Sequence, residues 1–317
     1  MDLVFGMISK NSLEKKYKKF GFPRNLSYFY GRVKNNYWMI KLIKLLTEIE
    51  NKAKMIVMAG GAGSGKSTLI NKFKGAVPDF EIFNPDKYVE DEDHPFYNNL
   101  TRSSMQVDDK DIPDAISKGQ NFIWDTTASN ANKLFGGTYR RKEVEGILKN
   151  PDYDTLMVMV YAHPIVSFLR NFNRDRKVPK VGVLNTWNNV YGNINRYKSE
   201  LGDNLVLYQS DAGDLQGDVD RFNEAASAGK LKEYFEDLIS QDPEKYASSF
   251  RKDDSTLSPE ELTKKEKSRE KSRELFDKQI QQLEDQFSTI QSQIDELGAS
   301  EEEVVGKIKS FAGWKIF

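Results

Sequence analysis

The chain has 317 residues, with 47 Lys and Arg against 48 Asp and Glu for a formal net charge of −1, and it is 38% hydrophobic and 30% charged. That length suits about two domains, or one large domain with appendages, and the composition is that of a folded globular protein with strongly polar exposed segments. Cysteine is absent and His94 and His163 are the only imidazoles, which removes disulfide frameworks, thiolate nucleophiles and zinc ribbons and makes Ser-His catalysis a poor fit.

No secretory signal is expected, because Met1-Asp2-Leu3-Val4 has no basic region followed by an apolar one. The longest uncharged run, 155–169, is interrupted by His163-Pro164 and falls short of the roughly 20 residues that cross a bilayer. A cytoplasmic location without membrane contact is the expectation. Residues 1–54 carry twelve Lys and Arg against four Asp and Glu. Within them Trp38, Met39, Leu42, Ile43, Leu46 and Ile49 recur at spacings of an amphipathic helix. A basic helical segment packed on the next domain is one reading of 1–54. Contact of Lys15, Lys16, Lys18 and Lys19 with nucleic acid or an acidic partner is another.

From Met55 the texture changes to short apolar runs, each followed by turn chemistry and a helical stretch. Strands are predicted at 55–59, 81–83, 122–124, 155–161 and 204–208, with helices at 67–74, 111–118, 139–149, 164–176 and 186–201. Strands with few alternating polar residues indicate a parallel sheet covered on both faces. The predicted domain covers 55–245. Its charge is uneven, with eleven acidic against three basic residues in 79–114 and seven basic against two acidic in 164–200.

Residues 246–317 read as a helical appendage. Phe276, Ile280, Leu283, Phe287, Ile290, Ile294 and Leu297 are separated by alternating fours and threes, a heptad ladder of coiled-coil type. A hairpin with another segment explains it, and so does association of 276–297 with a partner protein or a second copy. Gly298 stops the helix and Ser300-Glu301-Glu302-Glu303 starts the next as a capping box.

The chemistry begins with Gly60-Gly61-Ala62-Gly63-Ser64-Gly65-Lys66-Ser67, which satisfies G-x-x-x-x-G-K-[ST] between a predicted strand and a predicted helix. Glycines let backbone N–H groups cradle phosphates at a helix N-terminus, Lys66 reaches the terminal phosphates, and the Ser67 hydroxyl can ligate Mg²⁺; Thr68 follows in the same run. A nucleoside triphosphate is therefore expected, ATP first and GTP possible, since an N-K-x-D base-reading motif is missing. Asp86, in Phe83-Asn84-Pro85-Asp86 after the second strand, is a candidate general base for an attacking hydroxyl, against the alternative of a turn residue. Asp125, closing the third strand in Ile123-Trp124-Asp125-Thr126-Thr127, is a candidate for Mg²⁺ through water or for holding the acceptor, with Thr126 or Thr127 as helix caps. Arg170 and Arg174 are expected on one helix face, with Arg176 at the helix exit before Pro179, placed to close over the triphosphate.

In their order, the phosphate loop, Asn84-Pro85-Asp86, Trp124-Asp125-Thr126-Thr127 and the Arg-rich stretch ending at Val178-Pro179 resemble the zeta-toxin and polynucleotide-kinase-like group of P-loop kinases over about 55–212. The resemblance implies a three-layer α/β P-loop domain with sheet order 2-3-1-4-5. It implies Lys66 and Ser67 as ATP–Mg²⁺ anchors, Asp86 as base, and Arg170, Arg174 or Arg176 as lid arginines. It departs at the acceptor side, where Asp86 is followed by Lys87-Tyr88-Val89-Glu90 without the Arg common in that group. The expected activity is transfer of the γ-phosphoryl group to a hydroxyl of a small molecule or nucleotide sugar. The alternatives are a 5′-hydroxyl polynucleotide kinase, and a nucleotide-binding assembly protein acting through its C-terminal helices.

Overall fold

The structure is a computed structural model that describes residues 52–97, 99–174, 177–247 and 259–313. The basic helix expected within 1–54, apart from its last three residues, and Arg176 lie outside the described residues.

Strand β1 (Ala53–Ala59) is a run of seven residues buried almost throughout. It is followed by helix α1 (Lys66–Phe73), strand β2 (Glu81–Phe83) and the short helix α2 (Asp86–Glu90). Helix α3 (Leu100–Gln106) runs through a π-helical turn, Val107–Asp111, into α4 (Ile112–Ser117). Strand β3 (Phe122–Asp125), helix α5 (Ala131–Phe135) and the hairpin β4 (Gly137–Tyr139) and β5 (Lys142–Val144) follow. Next come β6 (Tyr153–Tyr161), α6 (Pro164–Phe172), α7 (Lys180–Tyr191), α8 (Ile194–Leu201) and β7 (Leu205–Gln209). The chain then forms α9 (Gln216–Ser227), α10 (Leu231–Gln241), the 39-residue α11 (Pro259–Leu297), β8 (Gly298–Ala299) and α12 (Glu301–Ala312).

The main sheet is parallel, in the order β2-β3-β1-β6-β7-β8. Its first five strands reproduce the expected 2-3-1-4-5, and β8 adds a sixth at the edge. Successive residues of the central strands face opposite sides, as the two-residue strand period requires. Met55, Val57, Phe122, Trp124, Met157 and Met159 enter one core with α5, α6, α7 and α11. Ile56, Met58, Ile123, Leu156 and Val158 enter the other, with Leu69, Ile70 and Phe73 of α1 and Val304 and Ile308 of α12.

Three local expectations are corrected. The stretch 139–149 is a two-residue β-hairpin and a short 3₁₀ turn instead of a helix. Its turn residues Arg140 and Arg141 both have positive φ, 49° and 65°, the backbone twist that joins tight hairpins. The expected helix 186–201 is two helices, parted at Gly192-Asn193, and α7 begins earlier, at Lys180. The arginine helix ends at Phe172, so Arg174 lies beyond it and does not share a helix face with Arg170.

The heptad ladder, for which association with another chain was one expectation, is covered within this chain. Phe276, Ile280, Leu283, Phe287, Ile290 and Ile294 are buried and Leu297 packs against the same core. Their cover is α7 and α10 together with aromatic side chains of α6 and α9.

Candidate functional site

At the carboxyl end of β1 the chain turns through Gly60 to Gly65 and enters α1 with Gly65 as N-cap, at φ 97°. No side chain caps that helix start and its first turn holds no acidic residue, which leaves its N–H groups and positive dipole end for an anion. Gly63 has φ 77°, and a Cβ there would collide with the Ser167 carbonyl of α6, so the loop is held at a distance that only glycine permits. The Lys66 ammonium donates to the carbonyls of Gly60 at 2.8 Å and Gly61 at 3.4 Å. Ser67 and Thr68 are exposed at the start of the helix, and the Ser64 hydroxyl is buried without a hydrogen-bond partner.

Asp125 comes to this loop because β3 pairs directly with β1, opposite Met58. Its carboxylate is 5% exposed and lies 3.8 Å from the Lys66 ammonium. Burial pushes its pKa up to about 6; Lys66 opposes that shift and Asp86 adds to it. The Asn84 amide joins the two carboxylate positions. Its Nδ2 donates to Asp125 Oδ2 at 3.1 Å, and its Oδ1 accepts the Asp86 backbone N–H at 2.8 Å. Asp86 opens α2, three residues beyond the end of β2.

Arg170 donates to the Ser210 hydroxyl at 2.9 Å and to the Asp211 carbonyl, which ties α6 to the end of β7. Arg174 donates to Asn171 Oδ1 at 2.9 Å, and fully buried Asn171 also bonds both the N–H and the carbonyl of Val178. The helix therefore stops, yet Arg174 is still held beside it.

These groups line one cavity of about 520 Å³: the loop from Gly61 through Thr68, Asn84, Asp86, Asp125, Arg170 and Arg174. Gly60 adjoins it and holds Lys66. Sequence reasoning missed the further lining by Ser104, Asp108, Lys133, Tyr139 and Arg140. Asp108 lay in a region read only as acidic, and Tyr139 and Arg140 in one read as a helix. Expected caps also moved: Asn130, not Thr126 or Thr127, caps α5, accepting from Asn132 and Lys133 N–H groups. Neither histidine lines the cavity. His163 is held neutral, its pKa pushed down to about 4 by burial despite a hydrogen bond to Asn223. Among the described residues no cluster of three or more acidic or imidazole ligands occurs, and no helix is long and apolar enough to cross a membrane.

A phosphate loop at the end of the central strand of a 2-3-1-4-5 sheet, with a carboxylate beside its lysine, defines a P-loop kinase-type domain. The family model for zeta toxin matches residues 42–201, about half of the chain, and the chain belongs to that family. No curated protein matches it. Among solved structures, a protein classed provisionally as a kinase from Chloroflexus aurantiacus is similar over 39% of this chain and 66% of its own, at 12% identity and TM-score 0.28. Deoxyadenosine kinase from M. mycoides with bound dATP is similar over 55% of this chain and 99% of its own, at 15% identity and TM-score 0.28.

Proposed function

We propose that the protein transfers the γ-phosphoryl group of ATP to a hydroxyl of a small-molecule acceptor. The observation that carries the reading is the one cavity in which the phosphate loop, Asp86, Asp125 and two arginines converge, with Asn84 holding both the Asp125 carboxylate and the Asp86 backbone N–H. Phosphoryl transfer asks the protein chiefly for positioning and for charge stabilisation. The α1 N-terminus and Lys66 would hold the β- and γ-phosphates, and Arg170 and Arg174 would face charge redistributed onto the transferred group. Asp86 would accept the acceptor's proton. Ser67 and Asp125 offer the hard oxygen donors that suit Mg²⁺, which usually takes one or two protein ligands and completes its shell with phosphates and water. When bound, that ion would neutralise phosphate charge.

The assembly-protein alternative gains no support, because the stripe it would use is buried within the chain. Lys66→Ala should abolish transfer from γ-labelled ATP. Asp86→Asn should keep ATP affinity while slowing transfer by about 10²–10⁴-fold, the usual worth of a general base. Equal losses of affinity and rate in Asp86→Asn would reassign it to binding, and undiminished transfer by folded Lys66→Ala would overturn the reading.

A further inference from the structure

A phosphate loop works only while its backbone N–H groups converge on one anion, and a chain so rich in glycine does not hold that shape unaided. The first N–H groups of the loop are spent on the protein. Gly60 donates to the Thr127 carbonyl at 3.3 Å, in the segment that follows β3. Gly61, which is buried, donates together with Ala162 to the hydroxyl of Tyr191 on α7. Ser64 closes a turn onto the Gly61 carbonyl at 3.2 Å. The uncapped start of α1 then remains for the anion.

The anchor on Gly61 is a side chain that no motif marks. Tyr191 is fully buried, and its hydroxyl donates to the Val160 carbonyl at 2.6 Å. With Gly61 and Ala162 as donors, its proton and both lone pairs are used. Burial raises its pKa further above the ordinary tyrosine value, so it stays protonated. The Val160 carbonyl also limits the loop directly, since a Cβ on Gly60 would lie 2.6 Å from it. The next residue rests on the helix that carries Tyr191: a Cβ on Gly61 would meet Thr186 Oγ1 at 3.6 Å and the Trp187 N at 3.7 Å. Trp187 Nε1 donates to the Ala162 carbonyl at 3.0 Å, so α7 holds both backbone groups of that residue. Edge contacts with Tyr161 and Trp187, at centroid distances of 5.0 and 5.1 Å, fix the Tyr191 ring. Tyr191 does not line the cavity.

We infer that Tyr191 is a positioning residue for the phosphate loop: its hydroxyl pins Gly61 between α7 and the end of β6, and the affinity for a polyphosphate depends on that pin. This rests on the nucleotide-binding part of the reading above. Without the hydroxyl the Gly61 N–H is left buried and without an acceptor, an arrangement the loop can escape only by moving. A moved loop no longer presents a preformed set of donors, and binding must then supply the order that Tyr191 supplies in the wild type.

The test is calorimetric binding of ATP and of inorganic tripolyphosphate, which has no nucleoside, to the wild type, Tyr191→Phe and Tyr153→Phe. Tyr153 is the control, a buried tyrosine near the opposite end of β6 whose hydroxyl donates to the Ala115 and Gln120 carbonyls at 3.1 and 2.8 Å. Tyr191→Phe should weaken both ligands by the same factor, about tenfold, as for ordering about one backbone residue on binding. Tyr153→Phe should bind both as the wild type does. The Gly61 amide should be protected from exchange in the ligand-free wild type and in Tyr153→Phe, and exchange faster in Tyr191→Phe. Normal affinity in folded Tyr191→Phe, or equal losses in the two variants, would overturn the inference. Should Tyr191→Phe fail to fold, the wild type decides: a Gly61 amide protected before any ligand is added bears the pin out, and one exchanging like an open loop overturns it. A wild type that binds neither ligand would bring down the phosphate-loop reading and this role with it, whereas wild-type binding with normal affinity in Tyr191→Phe removes the positioning role alone.

Discussion

The phosphate loop and the stripe 276–297 are the two most regular patterns in the sequence, and they differ in where their partners lie. The loop carries its own contacts, since Lys66 bonds the carbonyls of Gly60 and Gly61 and Gly65 begins the helix that would bind phosphate. Its chemistry follows from eight consecutive residues. The stripe says only that one helix face must be covered. Its cover comes from far away in the chain: Phe168 and Phe235 meet Phe276, Phe222 and His163 meet Phe287, and Tyr161 donates to Gln291 at 2.6 Å. A local motif thus states its function, while a periodic one states a need and leaves the partner open.

The harshest way to break that contrast is to remove the stripe. A chain ending at 258 loses α11 from one face of the sheet, β8 from its edge, and Val304 and Ile308 from the core behind the phosphate-loop helix. It also loses Glu301, which pairs with Lys72 of α1 at 2.5 Å. The expected result is loss of the cooperative thermal transition and of ATP binding. A truncated chain that melts cooperatively and binds ATP would show the segment to be an accessory after all.

The same distinction explains what could be read in advance. Strand order followed from the family resemblance, whereas the approach of Lys66, Asp86, Asp125, Arg170 and Arg174 to one cavity was legible because these residues sit within motifs or just after apolar runs. The hairpin was not, because its turn uses Arg140-Arg141 where Asn-Gly or Asp-Gly would have signalled positive φ. The end of the arginine helix was hidden too. Asn171 folds the following segment back by bonding Val178, a contact that helical periodicity does not encode.

Smaller perturbations sharpen the comparison by separating stability from function. Leu283 is fully buried in the stripe, so Leu283→Ala should cost about 2–5 kcal/mol in denaturant unfolding. The ATP affinity of the folded fraction should stay unchanged. A loss under 1 kcal/mol (about half the low end) would mean the stripe is loosely packed.

Asp125→Asn should act in the opposite sense. The folded-state pKa is raised from 3.8 to about 6, so the native state binds the proton more tightly than the unfolded state. The stability from that proton is fully present below about pH 4 and is lost as pH rises through about 6. At about 1.4 kcal/mol per pH unit, removing the charge should stabilise the protein at pH 7 by up to about 3 kcal/mol and flatten stability between pH 4 and 6. Unfolding curves at pH 4 and pH 7 would check it; a variant less stable than the wild type at pH 7 would show that its bond to Asn84 outweighs the burial of charge. The site would then be built for cohesion more than for catalysis.

The last test asks what fixes the stripe in register, since heptad spacing alone allows a helix to slide by a turn. The place to look is Asn188 on α7, 1% exposed. Its Nδ2 donates to both the backbone and side-chain carbonyls of Gln279 at 2.9 Å, and its Oδ1 accepts from Gln286 Nε2 at 3.0 Å. Gln279 and Gln286 lie seven residues apart, so a shift of one turn would leave Asn188 facing the wrong partners in an apolar surrounding. The approach is close here, because a Cβ on Gly192 would crowd the Gln286 amide at 3.1 Å. Asn188→Ala leaves buried Gln279 without its donor and should cost about 1–3 kcal/mol, the penalty of an unsatisfied buried polar group. Asn188→Leu with Gln279→Leu removes both polar partners and should recover much of that stability. If the amides specify register, the double variant should pay in uniqueness, with broadened resonances for α11 and faster amide exchange there than in the wild type. Sharp resonances and native exchange in a stable double variant would show that side-chain packing of Phe276, Leu283 and Phe287 sets the register without the amides.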